Sequence, residues 1–141
     1  MLERAGDDDS AIQYWAVTGL AIGQFDDQQT KATLEGGLGD SAVSVRIAAA
    51  DALCRLGSHQ AALPALIDAL EHPLVMARGR AANVLDSQPP AAAPSLRPAL
   101  EPLRHAIARL GDGLLDVQYR FPMERAVAAI EGSTDYYRWP D

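Results

Sequence analysis

The sequence predicts an all-α fold in which helices stack as a solenoid, and three observations support this prediction. A helical motif recurs, and its closing aliphatic residue stands at Leu20, Leu53, Leu85 and Ile130, so the copies are 33, 32 and 45 residues apart. Spacings in the thirties are typical of helical repeats. Hydrophobic residues make up 48% of the chain and aromatic residues only 6%. Because alanine, the strongest helix former, supplies much of the hydrophobic fraction and β-branched runs are missing, strands are not expected.

Small residues at fixed positions define the motif. Four residues before the closing position every copy has alanine, at Ala16, Ala49, Ala81 and Ala126. The residue directly before the closing position is small or short in every copy, at Gly19, Ala52, Val84 and Ala129. Residues four apart lie on one helix face, where small side chains let a neighbouring helix approach closely. The motif therefore predicts a buried helix crossing at each copy.

A single domain over residues 1–141 is predicted, and capping residues delimit its first helices. Residues 7–10, Asp-Asp-Asp-Ser, form an acidic N-cap for a first helix over about 11–22. A second helix follows Asp26 or Asp27 and stops at Gly39. The repeat copies fall near residues 10–23, 41–57, 73–87 and 122–132, with a tail over 133–141.

Serines and a glycine delimit the next two helices. Ser41 is predicted to cap the third helix, which carries the clearest copy of the motif and ends at Gly57 as the residue after its C-cap. Ser58 is predicted to cap the fourth helix, which runs to about Glu71.

Prolines organise the chain from the fifth helix onward. Pro73 is predicted in the first turn of that helix, where its missing N–H costs nothing, and the helix ends near Ser87. Pro94, Pro98 and Pro102 fall on one helix face. Because an interior proline costs ~3 kcal/mol or more, three cannot share one regular helix. We expect a helix that begins at Pro94 or Pro98 and bends near Pro102.

The last predicted helix begins at a proline. A loop is expected to reach about Phe121, followed by a helix over 122–132. The tail after it is aromatic, with Tyr136, Tyr137 and Trp139. It could bind a partner or fold back as a C-terminal cap, and the cap is the interpretation we favour.

The charge balance argues against two classes of partner. The formal net charge is −7, from 12 basic and 19 acidic residues. Clustered cations bind nucleic acids and anionic membranes, so neither is an expected partner. No apolar run approaches the ~18 residues that span a bilayer, and residues 1–9 are too polar for a signal peptide. The chain as given is expected to be cytoplasmic, unless it is a fragment of a secreted protein.

The sequence holds no enzyme motif. It has no glycine-rich phosphate loop, no nucleophile elbow and no metal-spaced set of histidines or cysteines. His59, His72 and His105 are scattered, and we expect them at helix ends or on solvated faces. Cys54, the single cysteine, is expected to be a small buried hydrophobe. A non-catalytic protein without a metal or cofactor is therefore predicted.

The copy around Val45 resembles a known repeat family. Val45-Arg46, followed by Ala49 and by Ala52-Leu53, is similar to the second helix of HEAT-like repeats, and Asp40 stands at the place of their loop aspartate. The resemblance covers residues 10–131. It implies a right-handed α-α superhelix of about seven helices, in which Asp40 and Arg46 join one repeat to the next by hydrogen bonds.

The first copy resembles a narrower group. Residues 14–16, Tyr-Trp-Ala, with Gly19-Leu20, are similar to the repeat-bearing C-terminal extension of some bacterial sulfatases. This implies a non-catalytic protein-interaction or scaffold module that sits beside a catalytic domain. The helix predicted over about 11–22 resembles the second helix of a repeat pair, and no helix that could be the first of that pair precedes it in the given sequence. Either the chain is a fragment, or this face binds a protein, an adjoining domain or a second copy, with Tyr14 and Trp15 at the centre of the contact.

Arginines on the second helices are candidate binding residues. Arg46 is one of them, and the interpretation we favour for it is the structural role of joining repeats by hydrogen bonds together with Asp40. Arg80 and Arg125 share one register, and with Arg78 they could form a basic strip that binds carboxylates or phosphates bidentately. Pairing with neighbouring acids is the interpretation we favour for this strip.

Polar residues form a second candidate set. Thr18, Asp51 and Asn83 share a register two residues before the closing position. In the related armadillo repeats a polar residue on the inner helix binds a peptide backbone, so this set could do the same. A solvated polar face is the interpretation we favour.

Two other functions remain open at this point. One is a HEAT-like protein related to the bilin lyases, or another small-ligand binder, which would use a polar pocket on the concave face. The other is a DNA-binding protein similar to the HEAT-like alkylpurine glycosylases, which needs a basic groove. The net charge of −7 disfavours the second.

Overall fold

The structure, a computed structural model, describes residues 28–132, and these residues are helical and loop segments without a strand. The helices are α1 (Gln28–Gly37), α2 (Val43–Arg55), α3 (His59–Leu70), α4 (Val75–Asp86), α5 (Ala93–Leu96), α6 (Leu100–Ala108) and α7 (Leu114–Glu131), with 3-10 turns at Pro90–Ala92 and Arg97–Ala99. The predicted all-α fold is confirmed for the described residues. Backbone contacts divide the chain into two compact units, residues 1–66 and 67–141. The predicted helix over 11–22 and the aromatic tail lie outside the described residues.

The small-residue register of the motif is buried in each copy that the structure describes. Ala49, Ala81 and Ala126 are all 0% exposed. The closing residues Leu53, Leu85 and Ile130 are buried as well. In the first unit α1 packs on α2, and in the second unit α7 packs on α4, α5 and α6. The predicted burial of these positions is therefore confirmed within both units.

Replacement of Ala49 by leucine is expected to lower the free energy of unfolding by ~1–3 kcal/mol, because the larger side chain overpacks a fully buried position. Thermal and urea unfolding followed by circular dichroism would measure the loss. Gln60→Ala, at an exposed position of α3, is the control and should change little. Equal shifts for the two variants would show that the register is not a packing site.

The ends of α2 show which capping predictions hold. Gly57 has φ 81, its N–H donates to the carbonyl of Cys54 at 3.0 Å, and the N–H of Ser58 donates to that of Leu53 at 2.8 Å. These two bonds form a Schellman motif, so the predicted end at Gly57 is confirmed. The predicted Ser41 cap is wrong, because α2 begins after Ala42, which makes no side-chain cap bond.

The prolines between α4 and α6 separate short helical turns. Pro94 lies in the first turn of α5, Pro98 lies in the 3-10 turn Arg97–Ala99, and Pro102 lies in the first turn of α6. A proline is tolerated there, because the first turn has no internal acceptor for the missing N–H. The prediction that one regular helix cannot hold all three is confirmed, but the chain breaks before Pro102 rather than bending at it. Pro73 precedes Leu74, the N-cap of α4, so its predicted place inside the helix is wrong.

Helix α7 begins eight residues before the predicted start. Residues 114–121, predicted as a loop, are its first two turns, and Pro122 lies inside the helix. An interior proline costs ~3 kcal/mol, and packing on both sides of it offsets that cost. The Tyr119 ring lies against Gly79 of α4 before the proline, and Met123 is fully buried after it. The predicted end is confirmed, since Gly132 closes α7 in the left-handed conformation with φ 77.

Candidate binding surfaces

Arg46 and Arg78 make equivalent contacts, each within its own repeat. Nη1 of Arg46 donates to the backbone carbonyl oxygens of Asp40 and Ser41, at 2.7 and 3.1 Å. Nη1 of Arg78 donates to the carbonyls six and five residues earlier, at 2.8 and 2.9 Å. The resemblance implies that Asp40 and Arg46 join neighbouring repeats, whereas the observed bonds close the loop of a single repeat. Both guanidinium groups therefore stabilise the loop that precedes their helix.

In each of these loops a side chain accepts a hydrogen bond from the N-cap residue of the helix that follows. Oδ1 of Asp40 accepts a hydrogen bond from the N–H of Ala42 at 2.8 Å. Nδ1 of His72 accepts one from the N–H of Leu74 at 3.1 Å. An unprotonated imidazole nitrogen can accept such a bond, so histidine can replace the loop aspartate. The repeat pattern did not reveal this substitution, because aspartate and histidine resemble each other here only in placing a hydrogen-bond acceptor at the same point of the loop.

Arg78 is the most buried charged side chain among the described residues, at 5% exposure. Burial lowers its pKa, the nearby Arg109 lowers it further, and the Asp116 carboxylate acts in the opposite direction. Nη1 of Arg109 donates to the backbone carbonyl of Glu71 at 3.2 Å. The start of α4 therefore lies beside the loop that leads into α7. Both arginines there, Arg78 and Arg109, donate hydrogen bonds to backbone carbonyl groups. Arg78 has almost no surface left for an external ligand.

Arg125 faces an acid and a ring. Its Nε lies 3.5 Å from Oδ1 of Asp86, and its guanidinium carbon lies 5.4 Å from the centre of the Phe121 ring. Burial raises the pKa of Asp86, and the charge of Arg125 opposes that shift. This pair joins α4 to α7 inside the second unit. The contact corresponds to the acid pairing that we favour for this residue.

The other candidates lie on the surface or outside the described residues. Asp51 is partly exposed and pairs with Arg55 one turn later, at 3.4 Å. Arg80 and Asn83 are exposed side chains of α4. Tyr14, Trp15 and Thr18 lie outside the described residues. Binding by Asp51, Arg80 and Asn83 stays a prediction, and so does the peptide-binding role of the register that Thr18, Asp51 and Asn83 share.

An exposed apolar face on the first half of α7 was not foreseen. Leu114 is 91% exposed, Val117 61% and Phe121 56%, and their spacing of three and four residues places them on one side of the helix. Leu74 and Met76, at the start of α4, are exposed as well. We call Leu114, Val117 and Phe121 the α7 apolar face. A helix face is predicted from apolar residues at helical spacing, but residues 114–121 were predicted to be a loop. The wrong start of α7 is therefore the reason why this face was not predicted.

A cleft opens at the other end of α7. Its volume is about 350 Å³, and seven apolar residues, two polar residues and a glycine line it. The apolar residues are Leu85, Pro89, Pro90, Ala93, Leu96, Ala129 and Ile130. Asp86, Gln88 and Gly132 complete the lining. The cleft lies entirely within the second unit.

Comparison with known proteins decides the family. A family model described as HEAT repeats matches residues 1–86. The chain belongs to the HEAT repeat family. No curated protein matches the chain. The HEAT repeat match includes α1 to α4 and therefore both of the loops that Arg46 and Arg78 stabilise.

Two kinds of feature are absent from this HEAT repeat protein wherever the structure describes it. No group of three histidine, cysteine, aspartate or glutamate side chains within residues 28–132 could hold a metal ion. None of the helices in that range is long and apolar enough to cross a membrane.

Cys54 is expected to resist alkylation while the protein is folded. It is buried as predicted, and burial, with a smaller contribution from the charge of Asp51, raises the pKa of its thiol to about 12. Iodoacetamide at pH 8 should leave the native thiol intact and modify it rapidly in urea, as followed by mass spectrometry. Rapid modification of the native protein would contradict this packing.

Proposed function

We propose that the chain is a non-catalytic protein-interaction module whose contact surface includes the α7 apolar face. The observation that supports this most directly is the exposure of Leu114 and Val117 on one side of a helix that is otherwise packed on α4 and α6. Contiguous exposed apolar groups of this kind mark sites of protein association. HEAT repeats generally mediate protein interaction or scaffolding, which agrees with the proposal.

The spacing of the exposed apolar residues indicates what kind of surface a partner would have. Apolar residues at the first, fourth and eighth positions of a helix fit a hydrophobic groove on another protein. The exposed Gln118 lies four residues after Leu114 and three before Phe121, so a polar side chain borders the face. A partner with an apolar groove and a polar rim would be complementary to this surface.

A finer version of the proposal concerns the identity of the partner. The resemblance of residues 14–16 and Gly19-Leu20 to the extensions of bacterial sulfatases suggests an adjoining catalytic domain as the partner. Tyr14 and Trp15 would then contact that domain. The arginines and polar residues of the repeat helices are separate candidate binding residues, namely Arg46, Asp51, Arg78, Arg80, Asn83 and Arg125, and among these Arg78 is the least accessible.

Two charge variants test the proposal. Val117→Glu places a carboxylate in the α7 apolar face, whereas Gln60→Glu places one on an exposed position of α3, which is not part of that face. Proteins cross-linked to the purified chain would be identified by mass spectrometry, and their affinities measured with each variant. A partner that binds the wild type and the Gln60 variant equally and loses affinity for the Val117 variant would support the proposal. Equal binding to all three proteins would exclude the α7 apolar face as the contact.

A further inference from the structure

The cleft at the C-terminal end of α7 has the size and lining of a ligand site. Its volume of about 350 Å³ lies in the range of small-molecule and peptide-anchor pockets. Leu85 and Leu96 contribute its deepest apolar groups, since both are almost completely buried. Pro89 and Pro90 give it a rigid, exposed edge. Such a lining suits flat apolar groups, and aromatic rings bury the most area per side chain.

The sequence carries such groups a few residues after the cleft lining. Gly132 lines the cleft and closes α7 in the left-handed conformation. Residues after such a turn frequently make an apolar contact with the last helical turn. Nine residues follow in the sequence, and Tyr136, Tyr137, Trp139 and Pro140 are among them. Their aromatic side chains number three of the eight in the whole chain.

We propose that this cleft is a binding site for an aromatic, proline-containing peptide, and that its resident occupant is the segment 136–140, Tyr-Tyr-Arg-Trp-Pro, of the same chain. Three residues separate Gly132 from Tyr136, and an extended chain covers ~3.3 Å per residue, so the segment is long enough to enter a cleft that Gly132 helps to line. Charge favours the same placement, because Asp86 supplies a carboxylate to the lining and Arg138 a cation between the rings.

Tryptophan fluorescence of the full chain tests this inference. Trp15 and Trp139 are the two tryptophans, so Trp15→Phe leaves Trp139 as the single reporter. A synthetic peptide of residues 133–141 provides the emission of the solvated ring. We expect the emission of Trp139 in the protein to be blue-shifted from that of the peptide and less quenched by acrylamide, independently of protein concentration.

Two further variants connect the signal to the cleft. Ala93→Glu places a carboxylate in the lining, whereas Ala91→Glu places one two residues away at an exposed position that does not line it. The blue shift should be lost in the first variant and kept in the second. If circular dichroism shows that Ala93→Glu does not fold, Ala129→Gln, at another residue that lines the cleft, is used in its place.

Three outcomes would overturn the proposal. An emission equal to that of the free peptide would show that Trp139 is solvated. A shift that Ala93→Glu and Ala91→Glu change equally would place the ring elsewhere. A shift that appears only at high protein concentration would make a second copy the source of the occupant. None of these outcomes affects the proposed role of the α7 apolar face, which the Val117 and Gln60 variants test separately.

Discussion

Replacement of Arg78 by alanine is expected to lower the free energy of unfolding by about 3 kcal/mol, because two loop carbonyl groups lose their donor and a buried side chain is deleted. The Arg78 side chain is 5% exposed, so water cannot readily replace it. Its Nη1 donates to the carbonyls of His72 and Pro73, at 2.8 and 2.9 Å. Urea unfolding followed by circular dichroism would measure the loss.

Two other variants separate the contributions to this loss. Arg46→Ala removes the equivalent bonds from a partly exposed loop, where water can solvate the carbonyl groups, so we expect a loss of about 1 kcal/mol. Arg78→Met keeps most of the buried volume and lacks the donors, and Met123 is fully buried at the same register of the last copy. A methionine variant as stable as the wild type would show that the hydrogen bonds do no more than offset the cost of burying the cation.

The packing register could be predicted from the sequence because it depends on residue size at fixed spacing. Ala49 and Leu53 lie four residues apart on one face, and any helix that packs through that face must bury both. The end of α2 at Gly57 was predictable for a similar reason, since a left-handed residue after a helix is usually glycine. Such rules need no knowledge of distant parts of the chain.

The start of α7 could not be predicted by the same rules. Pro122 by itself favours a helix that begins there, and only contacts with residues far away in the sequence favour a longer one. Tyr119 packs against Gly79, forty residues earlier, and Met123 is fully buried in a helix that packs on α4 and α6. Tertiary packing therefore overrides the local signal.

The candidate site was only partly predictable. Arg46 and Arg78 occupy the same position of the motif, but their acceptors are backbone carbonyls that no sequence pattern displays. The hydrogen bond that His72 accepts was not predicted, because the residue type differs between the two loops while the geometry is the same. The α7 apolar face was missed because it depends on a helix that the local rules exclude.

Replacement of Gly79 by alanine is expected to lower the free energy of unfolding by about 2–3 kcal/mol, although alanine is the better helix former. A Cβ at this position would overlap the ring of Tyr119, at the atoms close to its attachment point. The ring must therefore leave its site between α4 and α7, because it cannot simply tilt away. Ile47 holds the same register in α2, so the need for glycine arises from Tyr119 and not from the repeat.

A second substitution should reverse the sign of the Gly79 effect. In a Tyr119→Ala background the overlap is gone, so Gly79→Ala should stabilise by up to about 1 kcal/mol through helix propensity alone. Gly36→Ala in α1, where an added Cβ meets no atom within 4 Å, is the matched control and should also be neutral or stabilising. If Gly79→Ala destabilises equally with and without the tyrosine, the crossing of α4 and α7 is not limited by this contact. A reversal of sign would show that one glycine–tyrosine contact keeps the first half of α7 in place, and with it the α7 apolar face.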